Sequence, residues 1–428
     1  MFTRITTVTI LLIFYGQTFG QTTTPPIPDA FDKATAISYA LKQNADLRAV
    51  RKGIEIAEAR LARTGLRPHP KIAVNYASDS AFNNEGEYTL GVGLQQEFPL
   101  ANRLRKAKAV SLVDIAKAKM EVRSSELEIA NGISEIALDI QIVDMRIALL
   151  ERMHEKTSEI SDFIHSRAKR GELSILEANQ TTLELRALEQ EIDQLTDERN
   201  HLTHSLAPFL GLTLDEEVNF KTASAIDTNT SLPGFDSSIF ERHPRFQLAV
   251  LDAHSAEAEI ALAESENWES ITARVFWENE RSVDQPNGLG TDRFVGVGFS
   301  IPIPLRKKGD LHAKEARIER DQSNLKAAAI KLRIQHEIEH AQHEASDLRK
   351  RIADYRDNVI KLANEQLEAT KLAYQNGQVS LVSLLRAQEQ LLRIERRQLD
   401  TQESFARARL SLERARIALP QLQEAANL

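Results

Sequence analysis

Two stretches of the chain carry apolar residues at alternating steps of four and three. In the first, Ile129, Ile133, Ile136, Ile140, Val143, Ile147 and Leu150 follow that rule. In the second, Ile334, Ile338, Ala341, Ala345, Leu348, Ile352, Tyr355, Val359 and Leu362 repeat it. The average step is the coiled-coil period rather than that of a single globular helix. A helix from about Gly309 to Tyr374 would be roughly 100 Å long. Each rod is expected to break at a glycine, Gly171 in the first and Gly377 in the second. The chain then returns, through Leu173, Leu176, Leu185, Leu188, Ile192 and Leu195 in one case and from Leu381 in the other.

Elsewhere the period changes. Ala34, Ile37, Leu41, Leu47, Val50, Ile54, Ala57 and Leu61 keep one helical face from Phe31 to Gly65, where Pro68 and Pro70 stop it. Ile72, Val74 and Tyr76 then alternate with other residues, and Tyr88, Leu90, Val92 and Leu94 do so again beyond an Asn83-Asn84-Glu85-Gly86 turn. Period two on both sides of an Asn/Gly turn predicts a β-hairpin, with strands over 71–79 and 87–98.

The order then recurs. Gly91-Val-Gly-Leu94 matches Gly296-Val-Gly-Phe299, and Gly171-Glu-Leu-Ser174 matches Gly377-Gln-Val-Ser380. The predicted unit is helix, strand, strand, long helix, tight turn, returning helix, present twice. It divides the chain into 31–219 and 238–419, joined by a Thr-, Ser- and Asp-rich connector at 220–237 and followed by a tail at 420–428. The second hairpin is expected at 270–279 and 293–303, with Asp284-Gln-Pro-Asn-Gly-Leu-Gly290 in its turn.

Composition sharpens the picture. The 428 residues include only 17 glycines and 13 prolines, as suits long helices. A net charge of −8 with both signs interspersed leaves no basic field for nucleic acid. The absence of cysteine excludes disulfides, thiolate metal sites, cysteine nucleophiles and a lipidated N-terminal cysteine. Residues 1–20 read as a signal peptide, with Arg4, the apolar run Ile5 to Tyr15 and Thr18-Phe19-Gly20, followed by a flexible start at 21–30. That run is too short for a membrane span.

Strands of about ten residues with one apolar face are long enough to cross a bilayer when tilted. Aromatics stand where interface girdles would, among them Tyr76, Tyr88, Trp277 and Phe299, with Phe98, Trp268 and Phe294. Four strands cannot close a barrel, and an open edge is not tolerated in lipid, so several chains must pool their strands. Cations after each hairpin, Arg103, Arg105, Lys106 and Lys108, then Arg306, Lys307 and Lys308, oppose the helix macrodipole and suit anionic headgroups of outer-membrane lipid.

At this point the chain resembles the TolC-like outer-membrane efflux proteins. The doubled unit carries the likeness. So do Val297-Gly-Phe-Ser-Ile-Pro-Ile-Pro-Leu305 and Tyr374-x-x-Gly377-x-x-Ser380 leading into Leu384-Leu385-x-Ala387-Gln388. The Ile-Pro-Ile-Pro-Leu passage is most similar to the branch serving heavy-metal exporters of the resistance-nodulation-division type. The resemblance implies a homotrimer with a 12-stranded barrel and a 12-helix periplasmic tunnel, mainly α with a β contribution. Its partners would be a periplasmic adaptor and an inner-membrane resistance-nodulation-division pump. It places adaptor docking at the tips, Gly171 and Ser174, Gly377 and Ser380. It sets the aperture near Tyr374, Ser383 and Arg386, although the family's acidic residues are absent from the last two positions. Glu172 and Glu177 are an alternative source of negative charge.

One motif tempts otherwise. His336-Glu337-Ile338-Glu339-His340, with His343 and Glu344 nearby, fits the zinc-protease pattern H-E-x-x-H. Ile338 belongs to the coiled-coil stripe, which leaves no cleft for a catalytic zinc. The reading is therefore a duct rather than an enzyme, with neither catalytic residues nor cofactor. Its alternatives are a multidrug or type I secretion duct and a periplasmic coiled-coil scaffold.

Overall fold

A computed structural model describes residues 27–81, 85–213, 216, 218–229, 232, 234–284, 288–303 and 307–417. The signal-peptide reading, the Asn83-Asn84 turn, Pro304 to Arg306 and the 420–428 tail lie outside the described residues.

The chain begins with α1 (Lys33–Gln43) and α2 (Ala45–Arg63). The expected single helix is therefore two. Asn44 turns out of the helical region at ψ 126, and its side chain accepts from the Leu47 amide at 2.9 Å. The Asn44 Nδ2 in turn donates to the Phe209 carbonyl at 3.0 Å. One residue thus caps α2 and ties it to a remote segment.

Next come β1 (Lys71–Ser78) and β2 (Tyr88–Phe98), then α3 (Arg103–Lys169), a single helix of 67 residues. The chain returns through α4 (Ile175–His204) and α5 (Ala207–Leu210). The second half follows the same order: α6 (Ile239–Arg242), α7 (Pro244–Ser265), β3 (Ile271–Asp284), β4 (Gly288–Ser300), α8 (Lys308–Asp354), α9 (Ile360–Gln375) and α10 (Leu381–Arg416).

The four strands form one antiparallel sheet in the order β1-β2-β3-β4. Its second hairpin departs from expectation at both ends. Pairing climbs to Asp284 opposite Gly288, so residues expected in the turn belong to the ladder. At the other end it stops with Thr272 opposite Ser300. Ile301 to Ile303, expected to be strand, lie beyond it, because Pro302 has no N–H to offer a partner.

The long second rod also differs from the sequence pattern. Between α8 and α9 it makes one π turn, Tyr355–Val359. A π turn spends an extra residue, which moves the buried face along by one position. Ile334, Ile338, Ala341, Ala345 and Ile352 are buried as expected. Beyond the turn Ala363, Leu367 and Tyr374 take the seam, while Leu362, expected in it, is 66% exposed.

The core is strung along the helices rather than gathered at one centre. Its largest cluster joins α1, α2, α3 and α5 through Ile37, Leu47, Ile133, Ile140 and Leu210. The connector straps this region: Phe31 and Lys221 exchange a backbone bond of 2.8 Å, and Gln141 donates to the Ala223 and Ala225 carbonyls. Where α7 begins, His243 is buried, and desolvation with help from Arg245 lowers its pKa to about 4. A neutral buried histidine must take up a proton on unfolding below pH 6.5, so it favours the fold above that pH. We expect stability to fall as pH drops from 6.5 toward 4, and a His243→Leu variant to lose that part of the dependence in thermal melts.

Candidate functional site

The sheet largely separates its two faces by chemistry. One face carries Ile72, Val74 and Tyr76 of β1, Leu90, Val92 and Leu94 of β2, Val275 and Trp277 of β3, and Val295, Val297 and Phe299 of β4. Most of these are exposed in the protomer and together make a large apolar surface. The other face is small and polar: Asn75, Thr89, Gly91, Gly93, Gln95, Thr272, Arg274, Glu278, Glu280, Asp292, Gly296 and Gly298. Alternation of this kind is the pattern of a membrane barrel wall with a wet interior.

The aromatics sit at definite levels. Tyr76 shares a row with Leu90, Asn279 and Arg293, where the apolar face turns polar, and its ring stacks on Tyr88 at 6.4 Å. Trp277 lies one row further in, between Val92 and Val295. Phe299 is opposite Ala273 near the helical end. Phe294, expected in a girdle, is instead on the polar face opposite Glu278. Also on that face, Phe276 fills the space that Gly296 leaves empty, and the Arg274 guanidinium lies 4.9 Å from its ring centre. Sequence alone did not single out Phe276. Its signal was a phenylalanine breaking a polar face directly opposite a glycine.

Glu280 and Asp292 stand directly opposite each other, with Glu278 two residues along β3. Like charges across a ladder repel, and none of the three has an ion-pair partner among the described residues. Glu97, another acid of the same face, is held by Lys71 at 2.8 Å.

At the far end of the rods the two tips are built alike. Gly171 and Gly377 take φ of +75 and +72, and no atom stands within 4 Å of where a Cβ would be. In each, the residue after the glycine donates to a carbonyl five positions back, Glu172 to Arg167 and Gln378 to Ala373. This is the Schellman closure. Ser174 then caps α4 by accepting from Leu176, and Ser380 caps α10 by accepting from Ser383. Glu172 is held by Arg170 at 2.7 Å, whose guanidinium lowers its pKa.

Behind the tips one cluster unites both hairpins, with Ile160, Ile164, Ala178, Leu367, Tyr374, Leu381 and Leu384. Tyr374 is buried there, its ring edge-on to Phe163 at 6.5 Å. Its hydroxyl has no hydrogen-bond partner among the described residues, and burial pushes its pKa up. Ser383 and Arg386 are exposed one turn on. An orphaned buried hydroxyl costs stability. Tyr374→Phe should therefore raise the melting temperature slightly, by the equivalent of about 1 kcal/mol, while Tyr374→Ala should lower it.

The His336, His340 and His343 group is solvent-facing. The His340 side chain is 80% exposed and, among the described residues, reaches only Glu344, at 3.8 Å. No group of three metal-binding side chains is assembled among the described residues. Ile338 between the histidines is fully buried, as the seam requires.

An apolar-outside, polar-inside partial barrel wall carried on two long helical hairpins defines a class: subunits of a duct that spans a membrane and continues as helices. A family model described as "Outer membrane efflux protein" matches residues 36–212. Nodulation protein T of Rhizobium leguminosarum bv. trifolii is 21% identical, over 95% of this chain and 94% of the relative. Among solved structures the fold is similar to CusC, with a TM-score of 0.73 at 17% identity over 90% of this chain and 91% of that one. It is also similar to VceC of Vibrio cholerae, at 0.69 and 16% over 90% and 95%. The Campylobacter jejuni CmeC outer membrane channel gives 0.67 and 16% over 92% and 88%. Residues 36–212 thus match the outer membrane efflux family, and the chain as a whole shares the fold of these outer-membrane channels.

Proposed function

We propose that the chain is the exit duct of a tripartite efflux system that passes heavy-metal cations from periplasm to exterior. The observation that carries the duct is the division of the sheet into an apolar and a polar face. The cationic cargo rests on the unpaired Glu278, Glu280 and Asp292 lining the polar face, and on the Ile301-Pro302-Ile303 passage. A lumen lined by one sign of charge concentrates counter-ions. Three copies would supply twelve strands, and the energy would come from an inner-membrane pump.

In this reading residues 1–20 direct export and are removed, and the mature protein is not a lipoprotein. The two repeats, 31–219 and 238–419, each give one hairpin to the barrel and one arm to the tunnel. Gly171, Ser174, Gly377 and Ser380 present the tips to a periplasmic adaptor. Tyr374, Ser383 and Arg386 border the aperture, which rests closed and dilates on docking. Lys106, Lys108 and Lys308 meet the headgroups of the inner leaflet, with Tyr76, Tyr88, Trp277 and Phe299 anchoring the wall.

A deletion strain should become sensitive to zinc, cobalt, cadmium, nickel or copper. Sensitivity only to dyes, detergents and antibiotics would reject the metal cargo and leave the duct. In planar bilayers, replacing Glu278 and Glu280 by Gln and Asp292 by Asn should lower the preference of the conductance for cations.

A further inference from the structure

The end of α10 and the start of α7 border one cavity of about 810 Å³. Its sides come from α3, with Glu128 and Asn131, and from α8, with Arg333 and His340. On α3 the core residues Ala130, Ile133 and Ala137 lie on the opposite face of the helix. The cavity is therefore no part of the packing around α1 and α5.

Three buried polar atoms of its lining residues have no hydrogen-bond partner among the described residues: Asn131 Oδ1, His243 Nδ1 and Arg414 Nε. Folded proteins leave few such atoms unmet, and each costs stability. Arg414 Nε can only donate, although the same guanidinium is engaged elsewhere by Glu135 and the Asn131 carbonyl. His243 is 5% exposed and stands at the cap position of α7 without capping it. Its neutral ring can donate from Nδ1. The Asn131 amide, turned about, presents an N–H in place of its oxygen. The first turn of α7 adds to these donors. Pro244 has no N–H, and Phe246 and Gln247 both donate to the His243 carbonyl, at 3.0 and 2.9 Å. The Arg245 amide is left open among the described residues. With 22 residues, α7 brings the positive end of a full macrodipole to the cavity.

We propose that this cavity is a binding site for a phosphate-class oxyanion, which joins the end of α10 to the start of α7. A helix N-terminus receives such an ion through its open amides and its dipole. Donors reach the cavity from several helices, more than a carboxylate can face, whereas a tetrahedral ion turns an oxygen to each. Arg333 supplies charge: it lines the cavity and makes no ion pair among the described residues. Two acids of the wall are engaged. Glu337 is 3.5 Å from Arg245, and Glu344 is 3.8 Å from His340. Glu128 has no ion-pair partner among the described residues and opposes the anion. The site lies away from the sheet and does not depend on what the duct carries.

Full-length protein in detergent would be titrated calorimetrically with inorganic phosphate and with methyl phosphate, and melted in phosphate against chloride at equal ionic strength. Phosphate should bind and raise the melting temperature. Arg333→Gln, at an exposed position, and His243→Phe, which keeps a buried ring without its nitrogens, should each weaken binding about tenfold or more. Glu128→Gln should tighten it. Lys326→Gln, on α8 but outside the cavity, should leave it unchanged. Equal affinity for methyl phosphate would support a site for the phosphoryl group of an ester, and binding of phosphate alone a site for the free ion. Phosphate that stabilises no more than chloride would overturn the proposal. So would the same affinity in every variant, which would mean an adventitious ion only.

Discussion

Val297→Arg should abolish the protein from the outer membrane, whereas Gly298→Arg, one residue away, should leave its yield near normal. Val297 is 70% exposed in the protomer and lies opposite Val275 within the apolar face. An arginine on the lipid side of a barrel wall costs about 2–4 kcal/mol at the bilayer midplane, and every copy in the ring bears that cost. Gly298 points to the polar face, and nothing lies within 4 Å of a Cβ added there. Its replacement should change conductance rather than assembly. Heat-modifiable oligomer on gels of membrane fractions distinguishes the two outcomes. Equal loss in both variants would show that the faces are wrongly assigned.

Gly309→Val should destabilise the junction of barrel and rod severely. Gly309 is buried in the first turn of α8, where the helix crosses the end of α7. A Cβ there would run into the Ala263 carbonyl oxygen and stand 2.8 Å from Asn267 Oδ1. Neither atom can withdraw freely, since one is helix backbone and the Asn267 side chain is engaged with Asp310 at 2.6 Å. Overpacking of this kind costs about 1–3 kcal/mol, occasionally more. Gly309→Ala should already lower the melting temperature and Gly309→Val should lower it further. Gly53→Ala, in open space within a helix, should raise stability in the free protomer.

What the sequence disclosed follows from how strictly each element is constrained. The strands were legible because membrane and lumen impose opposite chemistries on alternate residues, so Val92 beside Gly91 and Gly93 is almost a written instruction. The tips were legible because a left-handed turn needs glycine and the next helix needs a cap. The breaks inside helices were not. Asn44 interrupts a continuous apolar face, and only its tie to Phe209, 165 residues away, makes the interruption stable. The π turn left Tyr355, Val359 and Leu362 in perfect step. Whether the extra residue is absorbed depends on which face α10 offers, and periodicity within one helix holds no such information. The second hairpin outran its expected turn because Asp284 and Gly290 look like turn residues, and the ladder takes them nonetheless. At the site, Phe276 was missed for a similar reason: its place is set by the absence of a side chain at Gly296, on another strand.

The two unmatched strand edges have a consequence for how the molecule comes into being. A single chain cannot satisfy its outermost backbone groups in hydrocarbon, so it has no stable inserted form of its own. Its folding free energy is then inseparable from the number of copies nearby. Dilution, or slow synthesis, would act on this protein as a denaturant does on a monomer.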